Sequence, residues 1–430
     1  MTSQVRRFAN GRPRTNKSKN RGNTMKKILS AMTLLACVLS MPAPAADSHA
    51  KVLIDAQSNL ATANWKISAA DWGSASTLPW TVQLRTLHGG RQEGVQVIDV
   101  DNGAMTFTIV PTRGFEIWKA QVGKLRLGWD SPVREIIHPS YIRLTDNGGQ
   151  GWVAGFGGLM VRGGLASFGS PVQDGDQQLT LHGHVDYLPA SHVSVRYESV
   201  PVPRLVFRGV VNDVQTFGPQ LRLISEISTV IGKPVILFDD EVTNLSDVPQ
   251  EMQLLYHTNF GTPLLGAGAE FVAPVKQVAP INAASAAGDL VGWNRYSGPH
   301  GPPYAAQVFN MQLYGDAQGF TMAMLKSPQG DQGVLMTFDT HGLPYMNLWK
   351  NEVTAKAGYV TGLEPGTGFP NARTVERAAG RVPKLRGGES YEVHLAITAL
   401  TSAAEVAKAS AAIQVLAVSP PIITKTPTGP

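Results

Sequence analysis

The chain has 430 residues, 43% of them hydrophobic, with 37 Lys and Arg against 32 Asp and Glu. Nine of those basic residues and no acidic ones fall in residues 1–46, so 28 basic and 32 acidic residues remain beyond that point. The remainder is mildly acidic, which removes the electrostatic case for nucleic-acid binding. The single cysteine, Cys37, excludes a disulfide framework, so stability has to come from a large core.

Residues 1–46 read as a leader. From Met25, the expected true start, Lys26 and Lys27 precede an apolar run from Ile28 to Met41, and Ala43-Pro44-Ala45 forms a small-x-small cleavage site. That is the pattern of a secretory signal peptide, too short to span a bilayer. A lipoprotein reading, with Cys37 of "LLAC" lipidated, is the minor alternative. The expected location is periplasmic or secreted. No later apolar run is long enough for a membrane-spanning helix.

Residues 47–418 are expected to form one domain and 419–430 an extended tail. "RLVFRGVV" (204–211), "RLISEISTVI" (222–231), "PVILFDDEVTN" (234–244), "GVLMTFDT" (333–340) and "YEVHLAITAL" (391–400) are rich in β-branched residues. Gly, Pro, Asn and Asp clusters punctuate them, which predicts an all-β sandwich or barrel rather than βαβ units. Only "SAAEVAKASAAIQVL" (402–416) has helical composition.

Four segments concentrate residues with chemical potential. "GWVAGFGGLMVRGGLASFGSP" (151–171) is Gly-rich and carries Trp152, Phe156 and Arg162. No helical pattern follows it and no Lys-Ser/Thr closes it, so it is a poor nucleotide loop. "LTLHGHVDYLPA" (179–190) contributes His182 and His184. "LLYHTNFGTPLL" (254–265) ends a strand on His257. Period-two alternation in "EMQLLYH" sets Met252, Leu254 and Tyr256 on one face and Gln253, Leu255 and His257 on the other. "NLWKNEVTAKAGYVTGLEPGTGFPNAR" (347–373) carries Trp349, Lys350 and Glu364.

In order, "PTRG", "GGLMVRGGL", "LHGHV", "YHTNFG", "WKN" and "GLEPGT" resemble the aldose 1-epimerase superfamily, and within it the DUF4432 family, from about Arg113 to Leu400. The resemblance implies a galactose-mutarotase-like antiparallel β-supersandwich with a cleft on one concave sheet. It implies a carbohydrate substrate and no cofactor. His257 would protonate the ring oxygen and Glu364 would take the anomeric proton, the two facing each other across a cleft sized for one hexose. Arg162 and His182 would bind sugar oxygens. Independently, acid–base work near neutral pH suits a histidine and a carboxylate. Trp152, Phe156 and Trp349 could stack on a sugar ring, and Lys350 lies beside that site.

Rival readings stand beside this one. Arg113 reads as a fold-stabilising arginine, and the second histidine, His184, as structural. His182-x-His184 with His257 and Glu364 resembles a metal-ligand set, but the trailing glutamate is absent and Asp186 is a poor substitute, so no metal is assigned. There is no Gly-x-Ser-x-Gly elbow for a hydrolytic triad. A non-catalytic carbohydrate-binding protein, or another carbohydrate isomerase or lyase using the same cleft, remains the alternative.

Overall fold

Alternating apolar residues put one face of most strands against another layer, and the computed structural model shows which layer. It describes residues 49–74, 78–288 and 290–429. The predicted leader lies outside the described residues. Among those described, a ten-stranded and a thirteen-stranded sheet, both built mainly from antiparallel pairs, make an all-β sandwich. Aromatic contacts join the layers: Phe107 meets Phe207 edge-on at 6.3 Å, and Phe238 of one sheet meets Tyr256 of the other at 6.4 Å. Leu53, Val82, Ile109, Leu223, Ile236, Leu325 and Leu395 belong to the same core.

The ten-stranded sheet keeps one face partly wet. In the strand Gln220–Val230, Leu221, Leu223, Ser225 and Ile227 are buried, while Arg222, Ile224 and Glu226 between them are only half-buried. The centre of the thirteen-stranded sheet differs. Its neighbouring strands Tyr345–Asn351, Val360–Gly366, Gln253–Phe260 and Met160–Leu165 run side by side. Every residue of the last three is buried. Their inner face is covered by the other sheet, and their outer face by loops that carry Trp129, Trp152 and Phe156.

The predicted helix spans Ala403–Leu416. Ser402 caps it by accepting the Glu405 amide, and Glu405 reaches back to the Thr401 amide at 2.8 Å. Val406, Ala409, Ile413 and Leu416 form its buried stripe. The segment after it, which the sequence suggests is an extended tail, docks on the sheet: Ile422 and Ile423 pair in parallel with Gln277 and Val278 at the sheet edge. No helix among the described residues is long and apolar enough to cross a membrane.

Candidate functional site

The strand Gln253–Phe260 alternates as the sequence predicts. Tyr256 turns inward to the core, and His257 turns outward. The neighbouring strand pairs Leu255 with Gly366 and Thr258 with Leu363, a register that sets His257 opposite Glu364. The two side chains meet, His257 Nε2 lying 3.2 Å from Glu364 Oε1. Gly362 shares the outward face two residues before Glu364, and a Cβ there would collide with the carboxylate. Cross-strand from Glu364, Asn347 donates its Nδ2 to the Glu364 carbonyl at 3.1 Å.

Aromatic rings wall this pair. Phe156 lies 5.1 Å from the His257 ring, His182 5.2 Å, Trp349 5.4 Å and Trp152 5.9 Å. Trp129 extends the wall, its ring tilted against Phe156 at 5.0 Å. The Gly151–Gly155 turn that presents Trp152 is held from behind. Arg113 donates to the Gly155 carbonyl at 3.0 Å, and the Tyr187 hydroxyl donates to the Trp152 carbonyl at 2.6 Å. His182 sits in the left-handed region at φ 56°, a conformation that a non-glycine residue keeps only when its surroundings impose it. Its Nδ1 lies 2.9 Å from the Phe168 carbonyl, which can only accept. Nδ1 therefore carries the proton, and Nε2 keeps a free lone pair.

Only 5% of His257 and 2% of Glu364 are exposed. Burial pushes the Glu364 carboxyl up to about 8. Burial, with His182 nearby adding to it, holds the His257 ring well below its ordinary value. Both shifts favour the neutral forms, so a single proton shared by the pair suffices. Burial also takes His182 down to about 4. Several polar atoms around the pair have no hydrogen-bond partner: His257 Nδ1, Glu364 Oε1, the Trp129 and Trp152 indole nitrogens, Asn259 Oδ1 and Asn347 Oδ1. Buried polar atoms are seldom left unpaired, and a cluster of them marks a place built for water or ligand.

The structure thus brings His257, Glu364, His182, Trp152 and Trp349 together. It does not bring Arg162 or Lys350. Arg162 pairs with Tyr256 in register and shares its inward face. All five guanidinium N–H groups are spent there, on Asp240 (twice), Ser225 and the carbonyls of Gly114 and Phe115. The sugar contact expected of Arg162 is replaced by an inter-sheet clamp. Lys350 follows Trp349 on a strand and so points the other way. Its ammonium donates to the Arg295 carbonyl at 2.6 Å and pairs with Glu352 at 3.3 Å, again away from the His257–Glu364 pair.

His184 also leaves the site, approaching Asp213 at 3.5 Å, and that carboxylate raises its basicity. Among the described residues, no three His, Cys, Asp or Glu side chains form a metal-ligand group. Arg113 is fully buried between Glu116 and Asp186. Sequence reasoning missed Trp129, which has no motif around it, and Asn259, which period-two alternation from His257 could have found. A cavity of 510 Å³ beside Phe271, Trp293 and the 417–421 segment holds none of these residues.

Residues 92–399 match the family described as a domain of unknown function, DUF4432. A solved protein from Klebsiella pneumoniae subsp. pneumoniae MGH 78578, named only provisionally as an aldose 1-epimerase, is 35% identical. The alignment covers 88% of this chain and 99% of that one, with a TM-score of 0.85. A galactose mutarotase-like protein from Clostridium acetobutylicum shares the fold at 12% identity and a TM-score of 0.52, over 78% of this chain and 98% of that one. No curated protein matches the chain.

Proposed function

The chain belongs to the DUF4432 family and has the galactose-mutarotase-like fold, and from that premise we propose that it interconverts the anomers of a sugar or sugar derivative by acid–base ring opening. The observation that carries the reading is the His257–Glu364 contact at 3.2 Å, ringed by aromatic side chains and with unspent polar atoms beside it. The expectation had the two groups on opposite sides of a sugar. Side by side suits the chemistry better. The anomeric oxygen and the ring oxygen are bonded to the same carbon, so an acid and a base serving both have to stand next to each other, each within hydrogen-bond reach.

Glu364 takes the proton from the anomeric hydroxyl as His257 delivers one to the ring oxygen. The bond from the anomeric carbon to the ring oxygen breaks and a carbonyl forms. The freed aldehyde end rotates, the ring hydroxyl adds to its other face, and both protons return. The acting pair, imidazolium and carboxylate, differs from the neutral pair by one proton moved along the 3.2 Å contact. Charge therefore need not enter or leave the site, which matters where burial penalises it. Trp152, Phe156 and Trp349 offer ring faces to the apolar side of a pyranose. His182 Nε2, left with its lone pair, accepts a sugar hydroxyl.

The leader at 1–46 supports export, so this activity is assigned to the periplasm or the exterior. The mass of the protein's N-terminus recovered from outside the cytoplasm tests that part. For the chemistry, exchange NMR across a panel of free sugars should show anomer interconversion above the buffer rate. If no sugar in a broad panel is accelerated by pure folded protein, the reading is wrong.

A further inference from the structure

We propose that Asn259 is a positioning residue: in the working protein its Oδ1 accepts the Nδ1–H of His257, a bond the structure leaves unmade, and so fixes the tautomer that presents the Nε2 lone pair to Glu364. Asn259 follows His257 by two residues on a strand, so both side chains leave on the same face. Both are buried. Cross-strand from Asn259 stands Gly362, which has no side chain to intervene.

The orientation of the amide is determined by its neighbours. Asn259 Nδ2 lies 3.0 Å from the His257 carbonyl and 3.1 Å from the Gly158 carbonyl. Both oxygens can only accept, so the nitrogen has to face them and the oxygen has to face away. The same contacts keep the amide against His257. That leaves one buried acceptor, Asn259 Oδ1, and one buried ring nitrogen, His257 Nδ1, neither of which makes a hydrogen bond in the structure, to the other or to any other group. Each is what the other lacks. The influence of the Asn259 side chain on the ring, favouring its protonated form against burial, agrees with this pairing.

The consequence is a defined proton inventory. With Nδ1–H anchored, the neutral ring offers only Nε2 to the pair, 3.2 Å from Glu364 Oε1. When Nε2 gains its proton, Nδ1–H keeps the same partner, so no reorganisation accompanies the transfer. An imidazole without such an anchor divides between two tautomers, and the Nε2–H form has no lone pair to offer.

The role rests on the acid–base reading of His257, but its first test does not. Long-range ¹H–¹⁵N NMR of the full chain at pH 7 reports which ring nitrogen carries the proton, and the His257 signals are those lost in His257→Gln. The expected native pattern is protonated Nδ1 and unprotonated Nε2. In Asn259→Ala the two nitrogens should move toward a common averaged shift. Asn259→Asp, which keeps an oxygen in place, should hold the native pattern. An Nε2–H tautomer in the native protein overturns the proposal without any variant, so misfolding of Asn259→Ala cannot shelter it. An unchanged pattern in folded Asn259→Ala overturns it too. In the kinetic arm, kcat should fall about tenfold with KM unchanged, through loss of the competent tautomer. A native Nδ1–H tautomer in a protein that exchanges no anomers would uphold the placement while removing the mutarotase reading.

Discussion

Tyr256 and His257 are neighbours on one strand, yet they face two kinds of polar environment. Behind the sheet, the Tyr256 hydroxyl donates to Asp240 at 2.5 Å, and Arg162 donates to the same carboxylate at 2.6 Å. No N–H of that guanidinium is left over. In front of the sheet, His257 and Glu364 are just as deeply buried, but beside them the Trp129 and Trp152 indole nitrogens and Asn347 Oδ1 are left over. Burial alone therefore does not separate structure from function here. Saturation does. A polar cluster whose hydrogen bonds close on themselves has no capacity for a ligand, whereas one left open inside an aromatic wall has been kept for something that arrives later.

Substitutions on the two faces should fail differently. The largest effect is expected in front: His257→Ala and Glu364→Gln should each lower anomer exchange by about 10²–10⁴-fold, the usual contribution of a positioned acid or base. At pH 5 both should keep native-like urea midpoints. A variant that retains the native rate, on any sugar the parent accelerates, would break the comparison.

Behind the sheet, Arg162→Met leaves Asp240 buried without its cation and should cost about 3–5 kcal/mol of stability. Chemical denaturation measures this, and the fraction still folded should keep near-native turnover. A loss of turnover without a loss of stability would return Arg162 to the site.

A third expectation concerns pH. Burial raises Glu364 from 4.5 to about 8. The folded state then holds a proton that the unfolded chain releases, so this contribution is full below pH 4.5 and is lost as pH rises toward 8. Glu364→Gln is neutral throughout. Its stability relative to the parent should therefore be greater at pH 8 than at pH 5, read from paired urea curves. An equal difference at both values would mean that the carboxyl titrates normally.

The smallest effect is on the wall. Trp349→Ala removes one stacking face, worth about 0.5–1.5 kcal/mol, and should raise KM roughly 2- to 10-fold with kcat little changed.

Much of the front face is legible in the sequence. Alternation in "EMQLLYH" separates His257 from Tyr256, and the ordered motifs pair it with Glu364 far along the chain. What fails is face assignment by proximity to a motif. Arg162 stands in the Gly-rich segment, but its direction depends on pairing with Tyr256, almost a hundred residues away, which no local pattern encodes. Lys350 can be judged locally: it follows Trp349 on a strand, and adjacent strand residues cannot both line one face. Trp129 is invisible for another reason. Its seat is made by Gly261 and Gly358, where an added Cβ would come within 3.0 Å of the indole residue, and such a fit exists only in three dimensions. The Phe156 and Trp152 positions carry a cue, since the glycines around them signal close backbone approach.

The docked C-terminal stretch has a consequence of its own. Ile422 and Ile423 lie alongside Gln277 and Val278, and the amides of Thr424, Thr428 and Gly429 bond to the carbonyls of Val278, Pro280 and Ile281. The outermost rank of the large sheet is thus a segment containing Pro420, Pro421 and Pro427, residues with no amide hydrogen to offer a stranger. A region that reads as an appendage blunts a border along which copies of the protein would otherwise zip together.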